Sequence, residues 1–341
     1  MKNRFLNLAL ILVTLFAAFV ACVDAGQAQT RRRNTTPAAN NNLMAQLPQS
    51  DAVVHVKMKQ LFNEAMPRIL ANNPARLAQV NAGVEDFKTR TGLDPRMFDE
   101  IAFGTRFTFP GEGITKAQTV ALAKGSFSAA AMVAAGRVAS NGKYREEKYQ
   151  GKTIYIFTID QTISVLGVIN FKLAELAATP LDTNTLALGD PLSVRSVIDV
   201  NRTGKRANAE LIALASRNPN AVIGFGGNMS EQLVKNIDIG NAPIATDLAK
   251  LRQVFGSVGT TDKDLQLFIG ARAVNAEAAK SLGDTLEGLK QFGALLVGRL
   301  SGARGVLAKS ALTNLTIVTE NNELQIQTVV PQADVGPLMG N

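Results

Sequence analysis

The sequence predicts an α+β protein: two similar β-α-β-β-α-β-β units, mostly antiparallel sheet covered by helices, after a signal peptide and a disordered linker. Three observations carry this. Strand-type alternation and helix-type spacing succeed one another along the body of the chain. The order of those signals occurs twice. Residues 1–46 show neither, being an apolar run followed by polar, low-complexity sequence. With 46% apolar and 19% charged residues the chain can build a real core. About 290 residues follow the linker, enough for one large or two ordinary domains. The expected boundaries are 47–204 and 205–341.

The N-terminus, MKNRFLNLALILVTLFAAFVACVDAGQAQTRRR, has Lys2 and Arg4 ahead of an apolar stretch from Phe5 to Val20. This is the pattern of a secretory signal, shorter than the roughly 20 apolar residues of a membrane span. Two processing routes compete. Gly26-Gln27-Ala28 puts small residues at the positions signal peptidase reads, making 1–28 the signal and Gln29 the mature start. Phe19-Val20-Ala21-Cys22 resembles a lipobox, making 1–21 a lipoprotein signal and Cys22 a lipidation site, although Phe is a poor first residue for it. Cys22 is the only cysteine, so neither route leaves a disulfide or a cysteine-based site in the folded part. Either way the protein is expected to be exported, to the periplasm or beyond the cell, and anchored to a membrane only if Cys22 is acylated. Residues 29–46, rich in Thr, Pro, Asn and Arg, read as a disordered tether.

The formal charge is +8. Removing 1–28 takes away two cations and one anion, and Arg31, Arg32 and Arg33 supply three more positive charges, so the folded remainder is near +4. No basic stripe is interleaved with aromatics and Trp is absent, so nucleic acid is not an expected partner.

In the first unit AVVHV (Ala52–Val56) is β-rich and leads into a helical pattern from Met58 to Leu70. A second helix, with Leu77, Val80, Val84 and Phe87 on one face, stops at Gly92. IAFGTRFTF (Ile101–Phe109) and TVALAKG (Thr119–Gly125) are strands, and Ser126 is the expected cap of an alanine-rich helix running through Val138. A hairpin follows, Tyr144–Tyr149 and Thr153–Ile159, turning at Gln150-Gly151. TLALGDPLSVRSVIDV then adds a strand and a helix opened by Asp190-Pro191.

The second unit repeats this order. AVIGFGGNMSEQL (Ala221–Leu233) aligns with AVVHVKMKQLF, which places Gly224 opposite His55 in the alignment. Gln253–Gly259 and Leu265–Ala273 are the strand pair, and Asn275 caps the next helix. LTIVTENNELQIQTVV closes the unit with a hairpin turning at Asn321-Asn322.

His55, the only histidine, lies on a predicted strand, sharing a face with Val53. A metal site needs three or four ligands, and here only carboxylates remain to join it. No nucleophile elbow is present. His55 is therefore read as a polar strand residue. IGFGGNMS (Ile223–Ser230) and SGARGVLAKS (Ser301–Ser310) lack the spacing of phosphate-binding glycine loops and read as close packing or tight turns. Asp94 before Pro95 reads as a turn cap, as do Asp262 and Asp264. Adjacent Glu146 and Glu147 point to opposite faces of a strand and cannot form an acid–base pair. The stretches Ser126–Gly136 and Gly293–Leu312, made of Ala, Gly and Leu, read as closely packed helices, or as the lining of a groove for an apolar ligand.

The stretches LPQSDAVVHV, YREEKYQGKTIYIF and LALGDPLSVRSVID, behind a signal and a Thr/Arg/Pro-type linker, resemble a loose group of uncharacterised exported bacterial envelope proteins. The resemblance implies an envelope location and supplies no catalytic residue. The functional expectation is a non-enzymatic exported scaffold or interaction module, with no cofactor, no catalytic residue and no metal site. Its partner would be another envelope protein or an apolar ligand. The alternatives are a carrier of a lipid-like molecule and an enzyme built on carboxylates that spacing does not reveal.

Overall fold

The computed structural model describes residues 43–91, 94–111, 114–165, 169–235, 246–261 and 263–335. The signal, Cys22, Gly92 and Asp262 lie outside the described residues. Twelve strands form one sheet in the order β11-β12-β10-β9-β8-β1-β2-β3-β7-β6-β5-β4. Neighbouring strands are antiparallel throughout. They are β1 (Ala52–Val56), β2 (Phe98–Gly111), β3 (Ile114–Gly125), β4 (Tyr144–Tyr149), β5 (Lys152–Val165), β6 (Ile169–Pro180), β7 (Thr185–Gly189), β8 (Ala221–Asn228), β9 (Leu251–Thr260), β10 (Asp264–Ala273), β11 (Thr316–Glu320) and β12 (Glu323–Pro331). The α+β class is as expected. The two halves of the chain share a single sheet, joined where β1 pairs with β8.

Alternation along the strands divides the apolar residues between two layers of helix. On one face Val53, Ala102, Val120, Leu122, Ile154, Ile156 and Phe255 pack under α3 (Pro191–Thr203) and α4 (Ala209–Ala215), which contribute Val194, Val197, Leu211 and Leu214. The opposite face is covered by a helical segment over 58–69, by α1 (Pro74–Thr91) and α2 (Ala129–Ala139), and by α6 (Ala276–Val297) and α7 (Gly302–Thr313). Between these, α5 (Glu231–Lys235) is a short turn of helix after β8.

Three expectations need correction. The tether was expected to reach residue 46, but Leu43–Gln46 is a 3-10 turn with Leu43 and Met44 fully buried in the main core. Two large apolar side chains at the end of a polar run are enough to dock it. Ser126 does not cap α2. Its N–H donates to Met97 O, and the cap is Ser128, whose Oγ accepts from Ala131 N at 3.2 Å. Finally, β6 was not expected: KLAELAATP is made of good helix formers, yet β6 runs between β5 and β7. Pairing on both edges outweighs a propensity difference of a few tenths of a kcal/mol per residue. Other local readings hold. Asn275 Oδ1 accepts from Ala278 N at 2.8 Å, and Gln150 and Asn321 take the positive φ their hairpins require.

Candidate functional site

His55 lies on β1 opposite Ala102 of β2, so Glu100, two residues along, shares its face. The consequence is a 2.8 Å contact between His55 Nε2 and Glu100 Oε2, with both side chains largely covered. They border a depression of about 260 Å³ with Lys57, Ser216, Asn218 and Gly224. Lys57 Nζ donates to Pro219 O at 2.5 Å. Burial lowers the Lys57 pKa, against the pull of the Glu100 carboxylate. Sequence reasoning placed His55 on a strand and Glu100 beside the turn of LDPRMFDE but missed their pairing, because it is fixed by strand register across 45 residues.

Glycine on β8 serves packing. A Cβ at Gly224 would lie 1.9 Å from Ala215 O, and one at Gly226 would lie 2.8 Å from Leu211 O. The backbone of α4 therefore rests directly on the strand. The chain of Ile223–Ser230 is strand as far as Asn228, and Lys309 and Ser310 sit within α7. Asp94 caps its turn as read, accepting from Arg96 N at 3.0 Å. The Arg96 guanidinium also holds the Asp94 carboxyl far below the usual range. Glu147 pairs with Arg195 of α3 and Glu146 with Arg137 of α2, on opposite faces of the sheet as alternation requires.

A depression of about 890 Å³ is lined by Glu210, Arg217, Arg252, Gln253, Arg272 and Glu323 among others. Its cations are engaged. Arg272 Nη1 donates to Glu210 Oε1 at 3.1 Å, and Arg272 Nε to Glu323 Oε2 at 3.2 Å. Arg217 Nη1 donates to Glu323 Oε1 at 2.5 Å. Both guanidinium groups lie over Phe255, at 5.1 and 5.7 Å from the ring centre. Burial raises the Glu323 pKa, but the two arginines outweigh it and the net shift is downward. This network ties β9, β10, β12 and α4 together. Among the described residues no group of three His, Cys, Asp or Glu is placed to hold a metal ion.

The feature with the least structural explanation is the hairpin of α6 and α7. The first half of α6 is seated on the sheet through Ala278, Ala279, Leu282 and Gly283. Its second half is not. Leu289, Phe292, Leu295 and Leu296 fall within about a third of the helix circumference at 100° per residue, and all are exposed, Phe292 by 59% and Leu295 by 72%. Leu300 in the turn and Val306 of α7 are exposed as well. The other side of α6 meets α7, where a Cβ on Gly293 would reach Leu312 at 3.6 Å. Lys290, Ala294, Val297, Gly298, Lys309 and Leu312 border a groove of about 310 Å³ between the helices. Sequence reasoning singled out this stretch for its small residues; which face is left bare is visible only once α7 is in place.

No helix of the described residues is long and apolar enough to cross a membrane. No protein-family model matches the chain, and no curated protein sequence matches it. Among solved structures, TP0453 in crystal form IV aligns at a TM-score of 0.43 and 9% identity, over 89% of this chain and 98% of that chain. Crystal forms III and I of the same protein give TM-scores of 0.40 and 0.42 at 9% and 10% identity over the same shares.

Proposed function

We propose that this chain is a non-enzymatic, exported envelope protein that docks through the outer face of α6 and the turn into α7. The observation that carries the reading is the apolar stripe of Leu289, Phe292, Leu295 and Leu296 on a helix half that leaves the sheet, with exposed Leu300 in the turn beyond it. Contiguous exposed apolar surface of this kind marks interaction sites in soluble proteins. The signal-like segment 1–28, or the lipobox-like sequence ending at Cys22, supports export. The sheet and α3–α4 layer then serve as the scaffold. A second reading, carriage of a slender apolar ligand, is favoured by the groove between α6 and α7, whose volume is at the low end for ligand pockets.

We also read the sheet as a duplicated β-α-β-β-α-β-β unit with β6 and β7 added to the first copy. Support comes from the seam, where His55 pairs with Gly224, its own counterpart in the sequence alignment.

The docking reading is tested in producing cells with a photoreactive phenylalanine at position 295, and a control at Leu192 of α3, which is also exposed. Light-dependent adducts, protein or lipid, are expected at 295 and not at 192. Equal or absent labelling at the two positions overturns the reading, and a small apolar adduct confined to the Ala294–Leu312 groove favours the carrier.

A further inference from the structure

We propose that a second copy of this chain adds to the free edge of β11, so that the two sheets join antiparallel about a two-fold axis at Val318. The proposal is independent of the docking reading above. The sheet is open, with β4 at one border and β11 at the other, and among the described residues no strand lies beyond either. Ala273 N donates to Asn322 O at 2.8 Å, in the register that pairs Arg272 with Glu323. Backbone groups of alternate residues point to opposite edges of an antiparallel strand. Those of Leu324 and Ile326 therefore face β10, and those of Glu323, Gln325 and Gln327 face β11. Val318 pairs with Gln325, so its backbone is satisfied by β12, whereas the N–H and C=O groups of Ile317 and Thr319 point out of the sheet. The helix beside this border is seated inward: α6 rests on Leu251, Ala271, Ala273 and Leu324 of β9, β10 and β12.

The two borders differ in what guards them. β4 carries Arg145, Glu146, Glu147 and Lys148 in succession. A two-fold pairing centred on any of these sets that charge against its own copy, and charge of this kind is a common guard on an open edge. β11 reads Thr316-Ile317-Val318-Thr319-Glu320, β-branched in all but its last residue and charged only there. Centred on Val318, the pairing is self-complementary: Ile317 meets the copy's Thr319, and Thr316 meets the copy's Glu320. Roughly four backbone hydrogen bonds then close between the outward groups of Ile317 and Thr319. Val318, 52% exposed, meets its own copy on the axis. That pair is of the closer, non-hydrogen-bonded type, with Cα atoms about 4.5 Å apart. The two Glu320 carboxylates fall at opposite ends, with backbones roughly 13 Å apart along the strand. Pairing β11 with β4 of another copy would instead be heterologous and leave a free edge at each end, which builds filaments.

The test uses the exported chain carrying Cys22→Ser, which has no thiol and no acyl anchor, sedimented over a wide range of concentrations. A reversible monomer–dimer equilibrium is expected. Val318→Lys, which sets two ammonium groups against each other from an exposed position, is expected to raise the dimer dissociation constant roughly tenfold or more with little change in the urea midpoint of the monomer. Single thiols then read the register. Val318→Cys is expected to form an interchain disulfide under mild oxidation, because its Cα separation falls within the roughly 4.4–6.8 Å that disulfides span. Thr316→Cys, whose two copies stand roughly 13 Å apart in this register, is expected to cross-link far less, as is Val138→Cys on exposed α2. A chain that stays monomeric throughout and forms no disulfide at 318 overturns the proposal. A dimer that Val318→Lys leaves intact overturns it in favour of another face. Equal cross-linking at 316 and 318 marks collision and overturns it as well, and growth into polymers overturns it in favour of β11 pairing with β4. None of these outcomes bears on the labelling at 295 that tests docking.

Discussion

Replacing Gly224 with alanine tests how the first helix layer is seated. The added Cβ would stand 1.9 Å from Ala215 O, where ordinary contact begins at 3.4 Å, so α4 must lift by about 1.5 Å or β8 must bend. The obstacle is backbone, with no rotamer to move aside. The cost should therefore fall toward the upper part of the roughly 1–3 kcal/mol typical of overpacked cores. It would be felt by Leu211, Leu214 and Ala215, which complete the main core over Val53 and Phe255. The assay is urea unfolding with linear extrapolation, where a lower midpoint at unchanged slope reads as lost stability. Gly227→Ala is the control, since its Cβ would meet Ala52 Cβ at an ordinary 3.6 Å and should change stability by no more than about 0.5 kcal/mol. Equal midpoints for Gly224→Ala and the parent would falsify direct seating of α4 on β8. They would also reopen a ligand role for the glycines of Ile223–Ser230.

Other outcomes follow from the same geometry. Ser128→Ala should cost about 0.5–2 kcal/mol by removing the Oγ bond to Ala131 N, whereas Ser126→Ala should not show a cap loss; paired melts of the two variants separate these assignments. Asp190 accepts from Thr119 N at 2.7 Å, and burial raises its pKa. Ionised Asp190 therefore weakens the fold as pH rises above the ordinary carboxylate range, and Asp190→Asn, which can keep the bond, should flatten that part of the stability–pH curve. Asp190→Ala should instead cost about 1–3 kcal/mol by stranding the Thr119 N–H. Glu323 is the opposite case. Its folded pKa is depressed, so its contribution is present above the unfolded value near 4.5 and is lost as pH falls through the folded one. Glu323→Gln should lower stability at neutral pH and reduce its acid dependence, and unfolding curves at stepped pH would reveal an unchanged slope if the Arg217–Arg272 bridge were idle.

Local chemistry was legible in the sequence wherever a neighbour within a few residues determines conformation. Asn275 caps α6, Asp94 caps its turn, Pro191 opens α3, and Gln150-Gly151 and Asn321-Asn322 turn their hairpins, because each acts on backbone groups beside it. Alternation likewise separated Glu146 from Glu147. The single sheet was not legible, since a strand's pattern says which face is buried and not which strand lies beside it. β6 was hidden because pairing on both edges overrides the helix preference of its residues. His55 and Glu100, and the Arg217–Glu323–Arg272 network, come together through register across long separations that no spacing records. The Ala, Gly and Leu stretch Gly293–Leu312 was visible from the start as composition. Only the packing of α7 against one side of α6 decided which side is left facing water, and that bare side is the candidate docking surface.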